Sequence, residues 1–309
     1  MRFHTPEVME FVAAHAVPGG DPVAVMRARA AALVADYQAR FDAEPPVDME
    51  LMAALRSIRV LREPLPDDVS GELIALPEGL LARINATHTA GRQNFSIGHE
   101  IVHTFFPRFR EVHYRSEKSV YWAAAGAKGE ASGLNTEVEY LCDVGASELL
   151  MPRTMFAAAL DRRGFSLAAV LELAALFGAS TEAAVIRTIQ DTPHPAAVVF
   201  CHWAHKPAER RAGARRAFPR LRVRRAYCSP AFGRYIPPHC SVPEDSPFHR
   251  ALDTEGVVAG ESVVCFGSRG YFVEQLRYET AALDPLEERC EKPVVGLLVP
   301  CDDRGLKSD

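Results

Sequence analysis

The sequence predicts an α+β protein, with a mostly helical N-terminal half that includes a small sheet and a mixed C-terminal domain. Three patterns lead to this fold class. A segment near residue 100 is apolar on nearly every side, which is typical of a buried helix. Helical periodicity continues from 152 to 190, with breaks at Gly164 and Gly178. After Pro193 the pattern changes to short strands.

Composition limits the class of protein. The chain has 309 residues, of which 48% are hydrophobic, so it can form two or three domains with substantial cores. A formal net charge of -5 gives no sign of a general affinity for polyanions, so any contact with nucleic acid must be local. No apolar run is long enough to span a bilayer, and the first residues lack the apolar core of a signal peptide. We therefore expect a cytoplasmic protein without a membrane partner.

The first 85 residues predict three helices and then a small sheet. The helices are expected at 6–16, 21–43 and 48–56, and the strands at 58–62, 71–76 and 81–85. The last two strands form a hairpin joined at Pro77-Glu78-Gly79. An edge strand of such a sheet can pair with the backbone of an extended peptide.

The next helix carries the strongest chemical signal in the chain. We expect it at 90–106, between Thr89 as the cap and Pro107 as the stop. His99 and His103 are four residues apart, so both side chains lie on one face and can share a metal ion. Glu100 lies next to them, where it can exchange a proton with a water molecule on the metal. The alternative is a core helix whose histidines bond only to the backbone.

A second helix, expected at 136–152, offers a third metal ligand. Glu139 and Asp143 share one flank of it, so we assign Glu139 to the metal and Asp143 to the far nitrogen of a ligand histidine. Glu137 is a rival ligand on another face. Thr136 and Glu139 also fit a capping box, in which the glutamate would only close the start of the helix.

These motifs together resemble the ImmA/IrrE family of zinc metallopeptidases. The resemblance rests on the HExxH helix and its preceding residues, and on the second helix through its Leu-Leu-Met-Pro end. The matching stretches are Arg92-Gln93-x-Phe95, His99 to His103, and Glu139-x-Leu-Cys-Asp143-x-Gly-Ala-x-x-Leu-Leu-Met-Pro152. Asp143 stands where a radiation-response relative would have Asn.

The resemblance implies a zincin-like fold in which His99, His103 and Glu139 hold zinc and Glu100 is the catalytic base. It also implies a substrate class, because members of the family cleave a helix-turn-helix transcriptional repressor. Cleavage releases genes for stress, DNA-damage or mobile-element responses. The same ligand set also accepts manganese or iron.

The segment 107–135 separates the two helices and has two interpretations. It could line a substrate cleft, in which case His113, Tyr114 or Tyr121 could donate a hydrogen bond to the tetrahedral oxyanion. It could equally be an exposed linker, so we assign none of the three to catalysis.

Residues 153–192 form a helical region in which 171–187 has the spacing of a helix-turn-helix. Arg187 is the sole basic residue of its second helix, which gives that helix too little positive charge for binding in a major groove. We therefore interpret the region as a spacer that supports the peptidase or docks the substrate, and we do not expect it to read DNA directly.

Residues 193–309 predict a mixed α+β domain with one main sheet, after a peptidase domain at 1–152. Its strands are expected at 196–201, 221–227, 262–266, 271–278 and 294–299, with a helix at 247–253. Within the family this domain resembles a sensor module of the GAF type, which implies a small-molecule signal. Cys201-His202-x-x-His205 imitates a second metal site, but strand alternation separates its side chains.

The sequence thus favours a zinc endopeptidase that cleaves a repressor. The rival hypothesis is a transcriptional regulator or sensor without proteolytic activity, in which the metal is structural. A closed site with four protein ligands would favour the rival, because it leaves no position for water. The sequence offers no convincing fourth ligand.

Overall fold

The computed structural model describes residues 3–15, 20–41, 44–66, 68–111, 114–117, 136–206, 218–267, 272–283 and 292–301. The chain forms two compact units, Met1–Arg162 with Glu172–Ala184 and Arg163–Leu171 with Val185–Asp309. Each unit contains one sheet among the described residues, so the α+β prediction is confirmed. The three predicted domains, divided at 152 and 192, stay a prediction beside this partition.

Most of the first unit is helical. Its helices are α1 (Pro6–Ala14), α2 (Pro22–Phe41), α3 (Met49–Leu55), α4 (Ala90–His103), α5 (Thr136–Leu150) and α6 (Arg153–Arg163). Asp48 caps α3, since its Oδ1 accepts hydrogen bonds from the backbone N–H groups of Glu50 and Leu51 at 2.9 and 3.0 Å. α4 ends three residues before the predicted boundary.

The sheet of the first unit has four strands in the order β1-β3-β2-β4. The strands are β1 (Ile58–Glu63), β2 (Val69–Leu76), β3 (Gly79–Asn85) and β4 (Tyr114–Glu117). β1 is parallel to β3, whereas β2 pairs antiparallel with both β3 and β4. The sequence predicts the first three strands but not β4, which lies inside the segment interpreted as a loop.

Two further helices, α7 (Leu167–Leu176) and α8 (Thr181–Asp191), each contribute residues to both units. Gly178 has a φ of 59° in the turn between them. Hydrogen bonds from Ala179 N to Ala174 O and from Gly178 N to Ala175 O close α7 in a Schellman motif. In the described chain no single helix is long and apolar enough to cross a membrane, and α7 with α8 reaches that length only as a bent pair.

The second unit is built on a five-stranded antiparallel sheet in the order β6-β5-β9-β8-β7. The strands are β5 (Ala197–Ala204), β6 (Arg220–Cys228), β7 (Val257–Phe266), β8 (Phe272–Ala282) and β9 (Val294–Pro300), with the short helix α9 (Pro247–Arg250). Phe232 and Phe248 pack on the sheet within one hydrophobic cluster. The strand predictions agree with these bounds, and β7 and β8 extend several residues further.

Candidate metal centre

Contacts within the first unit hold α4 at both ends. At its start, Asn94 Nδ2 donates a hydrogen bond to Gly178 O at 3.2 Å. Gly91 approaches Ala179 so closely that a Cβ atom at position 91 would lie 2.9 Å from the Ala179 carbonyl carbon. At its end, Arg56 donates hydrogen bonds to the carbonyl and hydroxyl oxygens of Thr104, both at 3.1 Å. The bond to the Thr104 carbonyl satisfies a backbone acceptor that a helix end leaves open.

Small residues bring α4 and α5 together. A Cβ atom on Gly98 would lie 3.3 Å from Ala146 Cα, and one on Gly145 would lie 2.7 Å from a methyl group of Val102. Real Cβ atoms rarely approach other atoms so closely, so glycine at these two positions sets the spacing of the helices. The spacing lets polar side chains from both helices meet in a buried interface.

Two histidines of α4 face one carboxylate of α5. His99 Nε2 lies 3.0 Å from Glu139 Oε2, and His103 Nε2 lies 3.7 Å from Glu139 Oε1. The two imidazole rings are 4.9 Å apart between centroids. All three residues are at most 4% exposed. The structure therefore brings together the three residues that the sequence predicts as metal ligands.

The far nitrogen of His99 contacts the predicted partner. His99 Nδ1 lies 2.9 Å from Asp143 Oδ1, and Asp143 is 1% exposed. Burial opposes a charge on His99, but the hydrogen bonds to Asp143 and Glu139 outweigh it and hold the pKa of His99 well above its usual value. Burial, together with the charge on His99, lowers the pKa of His103 well below its usual value. The pKa values of the two histidines are therefore shifted in opposite directions.

Cys142 is a member of this centre that the sequence analysis does not identify. Its Sγ lies 3.4 Å from His103 Nδ1, on the opposite side of that ring from Glu139. Burial and the neighbouring carboxylates of Glu139, Asp143 and Glu100 raise the pKa of the thiol well above its usual range. A protonated thiol is a poor metal ligand. The signal available in the sequence is that Cys142 lies one helical turn after Glu139.

Ligand atoms of His99, His103 and Cys142 nevertheless lie within 4.8 Å of one another, close enough to hold a metal ion. The interface therefore offers two overlapping sets of donors. One set has Glu139 as the third member, and the other has Cys142. An imidazole gives one nitrogen to one ion, and the Nε2 atoms of both histidines lie near Glu139.

The two other carboxylates considered from the sequence lie in different surroundings. Glu100 is fully buried, and a Cβ atom added to Gly71 of β2 would lie 2.8 Å from Glu100 Oε1. Glu137 accepts hydrogen bonds from the backbone N–H groups of His4 and Thr5, at 2.8 and 2.9 Å to its Oε2. Although burial acts in the other direction, these bonds lower the pKa of Glu137. Its carboxylate therefore binds the N-terminal segment.

The remaining candidates divide between described and undescribed residues. His113 and Tyr121 lie outside the described residues, and Tyr114 begins β4. In β5, Cys201 is 1% exposed in the core cluster, and burial raises its pKa. Across the described part of the chain, His99, His103 and Cys142 form the sole group of three His, Cys, Asp or Glu residues whose ligand atoms all lie within 4.8 Å of one another.

The chain resembles known proteins in both sequence and structure. The model of the IrrE N-terminal-like domain, from a family of peptidases, matches residues 54–188. The matched segment begins in α3 and ends in α8, so it contains α4, α5 and all candidate residues of the metal centre. The predicted resemblance is confirmed.

Curated relatives carry the same name. The chain is 29% identical over 196 residues to the radiation response metalloprotease IrrE of Deinococcus radiodurans, covering 62% of this chain and 57% of that protein. It is 28% identical to the protein of that name from Deinococcus deserti, covering 62% and 64%. The match thus spans less than two thirds of either relative. The metallopeptidase family and the buried histidine and cysteine group together suggest a metal ion.

A solved structure shares the fold over most of the chain. A Mycobacterium tuberculosis transcriptional regulator superposes with a TM-score of 0.51, covering 92% of this chain and 93% of that one. The sequence identity is 14%, so this likeness describes the fold alone.

Proposed function

We propose that the chain is a zinc endopeptidase that cleaves a helix-turn-helix transcriptional repressor at one site. The observation that carries the proposal is the convergence of His99 and His103 on Glu139, beside the buried Glu100, inside an IrrE N-terminal-like domain. Two imidazole nitrogens and one carboxylate are a common protein ligand set of catalytic zinc, with a fourth position for water. The donor set therefore fits the ion.

His99, His103 and Glu139 would hold the ion, and Asp143 would orient His99. When bound, zinc supplies a Lewis acid that polarises the scissile carbonyl and makes water more acidic. Asp143 Oδ1 lies 2.9 Å from His99 Nδ1, so it keeps a proton on that nitrogen and leaves Nε2 to the metal. Cys142 occupies the equivalent position at His103 Nδ1, at 3.4 Å.

Glu100 would be the general base and then the general acid. It follows His99 directly, which turns its carboxylate away from the ligand face of α4. In this role it takes a proton from the attacking water and later gives it to the leaving amine, so no proton is lost over the cycle. Its full burial keeps bulk water away from that transfer.

The family resemblance and the names of the relatives support the proposed substrate class. The Deinococcus proteins are called radiation response metalloproteases, which supports a role in a stress or DNA-damage response. A peptidase acts on such a response most directly by removing a repressor. Residues 183–189 of α8 are all buried, and Arg187 is 2% exposed. This burial favours a role as a helical spacer rather than as a helix that enters a major groove.

The C-terminal unit would supply regulation. Its five-stranded antiparallel sheet is compatible with the expected sensor module of the GAF type, which would respond to a small molecule. The expected signal then acts on the peptidase through the chain that joins the two units.

A second candidate function is a regulator with a structural metal. Cys142 favours it, because ligand atoms of His99, His103 and Cys142 lie within 4.8 Å of one another. X-ray absorption of the zinc-loaded chain separates the two. Nitrogen and oxygen scatterers alone support the enzyme, whereas a sulfur at about 2.3 Å supports the structural site.

The deciding experiment is incubation of the zinc-loaded chain with helix-turn-helix repressors encoded beside its gene. Glu100→Gln is the control, because it keeps the shape of the side chain but cannot accept the proton. We expect the wild-type chain to cut one repressor and the variant to be about 10²–10⁴-fold slower with unchanged zinc content. Equal rates would remove Glu100 from the mechanism.

A further inference from the structure

Gly71 is an unusual residue for its place in β2. Leu73, two residues further along the strand, is large, apolar and 2% exposed. Glycine within a strand weakens it and often marks a close approach by another group. Its φ is not in the left-handed region, so the backbone does not require glycine here. The reason must lie in the space beside it.

That space contains the carboxylate of Glu100. A Cβ atom on Gly71 would lie 2.8 Å from Glu100 Oε1, closer than real Cβ contacts. It would also lie 3.3 Å from Arg83 O and 3.3 Å from Ile84 Cδ1 on β3. The carbonyl oxygen belongs to the sheet and cannot move aside, so the carboxylate would have to shift. Any side chain at position 71 thus competes with Glu100 for one place.

A β-bulge fixes this part of the strand. Val69 pairs with Glu117 and Gly71 pairs with Ser116, so Ser70 is the extra residue on β2. Arg92 of α4 donates a hydrogen bond to Ser70 Oγ at 2.9 Å. Arg92 and Glu100 are eight residues apart and therefore lie on the same side of α4. α4 contacts the bulge at two successive residues, through Arg92 at Ser70 and through Glu100 at Gly71.

We propose that Gly71 is a positioning residue for Glu100. Its lack of a side chain leaves room for the Glu100 carboxylate against β2. Glu100 directly follows His99, a candidate metal ligand, on α4. The inference rests on the proposed function, because it gives Glu100 the role of base. None of the three atoms nearest to a methyl group at position 71 belongs to His99, His103 or Glu139.

The test is a double-mutant cycle on the full-length, zinc-loaded chain. Thermal unfolding is measured for the wild type, Gly71→Ala, Glu100→Ala and the double variant. If the added methyl group competes with the carboxylate, Gly71→Ala lowers Tm by a few degrees in the wild type and much less beside Glu100→Ala. This readout does not require a substrate.

Cleavage and zinc content are then measured for Gly71→Ala. A displacement of about 1 Å can slow a reaction about 100-fold, so we expect kcat to fall by that order while KM and zinc content stay close to the wild type. Gly260→Ala is the matched control, because Gly260 also lies in a strand and a Cβ there would meet Tyr278 Oη at 2.7 Å. It should lower Tm similarly and leave kcat unchanged.

The outcomes separate this inference from the proposed function. Equal losses of Tm in both Glu100 backgrounds overturn it, as does an unchanged kcat in Gly71→Ala. If the wild-type chain cleaves no repressor, the proposed function fails, and a non-additive unfolding cycle still supports the pairing of Gly71 with the Glu100 carboxylate.

Discussion

The interface between α4 and α5 and the core of the second unit both depend on a glycine for close packing, but they bury different chemistry. Gly145 lies against Val102, and Gly296 lies against the ring of Phe248, where a Cβ atom would come within 2.6 Å. The core cluster of the second unit is hydrophobic. The α4–α5 interface instead buries the ionisable residues His99, His103, Glu139 and Asp143, each at most 4% exposed.

Burying one charge costs several kcal/mol even after the protein relaxes. In the second unit, Arg222 meets this cost with hydrogen bonds to backbone carbonyls, at 3.0 Å to Ala204 O and 3.3 Å to His239 O. The α4–α5 groups contact one another instead. The core of the second unit is therefore arranged for stability, whereas the α4–α5 interface keeps costly groups in positions suited to chemistry.

Removing the central carboxylate of the α4–α5 interface should have the largest effect on zinc binding. Glu139→Ala removes the group that both Nε2 atoms face. Loss of an outer partner typically lowers metal affinity about 10–100-fold, and we expect a larger loss of zinc affinity here. Competition with a zinc chelator measures the loss. Glu137→Ala is the matched control on the same helix, and it should keep its zinc because its carboxylate binds His4 and Thr5. Loss of zinc in Glu137→Ala alone would reverse the assignment.

Removing the outer partner should have a smaller effect. Asp143→Ala leaves His99 Nδ1 without its carboxylate, and we expect zinc affinity to fall about 10–100-fold. Asp143→Asn should lose less, because the amide oxygen still accepts the Nδ1–H. The same chelator competition ranks the three proteins, and an Asn variant weaker than the Ala variant would contradict the proposed role.

Adding a methyl group at each of the two glycines is the smallest change that tests the difference between the α4–α5 interface and the core of the second unit. Gly145→Ala and Gly296→Ala each add one methyl group to a tight contact, at a cost of about 1–3 kcal/mol in the free energy of unfolding. Urea denaturation measures that cost. Only Gly145→Ala should also weaken zinc binding, because it moves α4 away from α5. Equal zinc affinity in both variants would show that helix spacing does not control the centre.

Local spacing explains what the sequence predicts well. The positions of His99, Glu100 and His103 on one helix depend only on the geometry of α4, and the strands of the second unit follow from alternation and turn residues. The choice between Glu139 and Glu137 depends on which face of α5 meets α4. Sequence spacing favoured Glu139 without excluding its rival.

The features that sequence analysis misses depend on partners distant in the chain. β4 has four residues and owes its strand conformation to pairing with β2. Gly71 and Glu100 are 29 positions apart, and their contact requires both the bulge at Ser70 and the packing of α4 on the sheet. Cys142 reads as an ordinary buried thiol until the ring orientation of His103 is known.

The attachment of α4 at both ends has a consequence for the metal equilibrium. Gly178 and Ala179 hold its first turns, and Arg56 holds its end, through contacts that involve no ligand side chain. A loosely held helix would lose conformational entropy when its ligands bind an ion. In this chain that entropy is already lost when the chain folds. We therefore expect chelation to empty the centre reversibly and leave the helices in place, unlike small domains that unfold without their zinc.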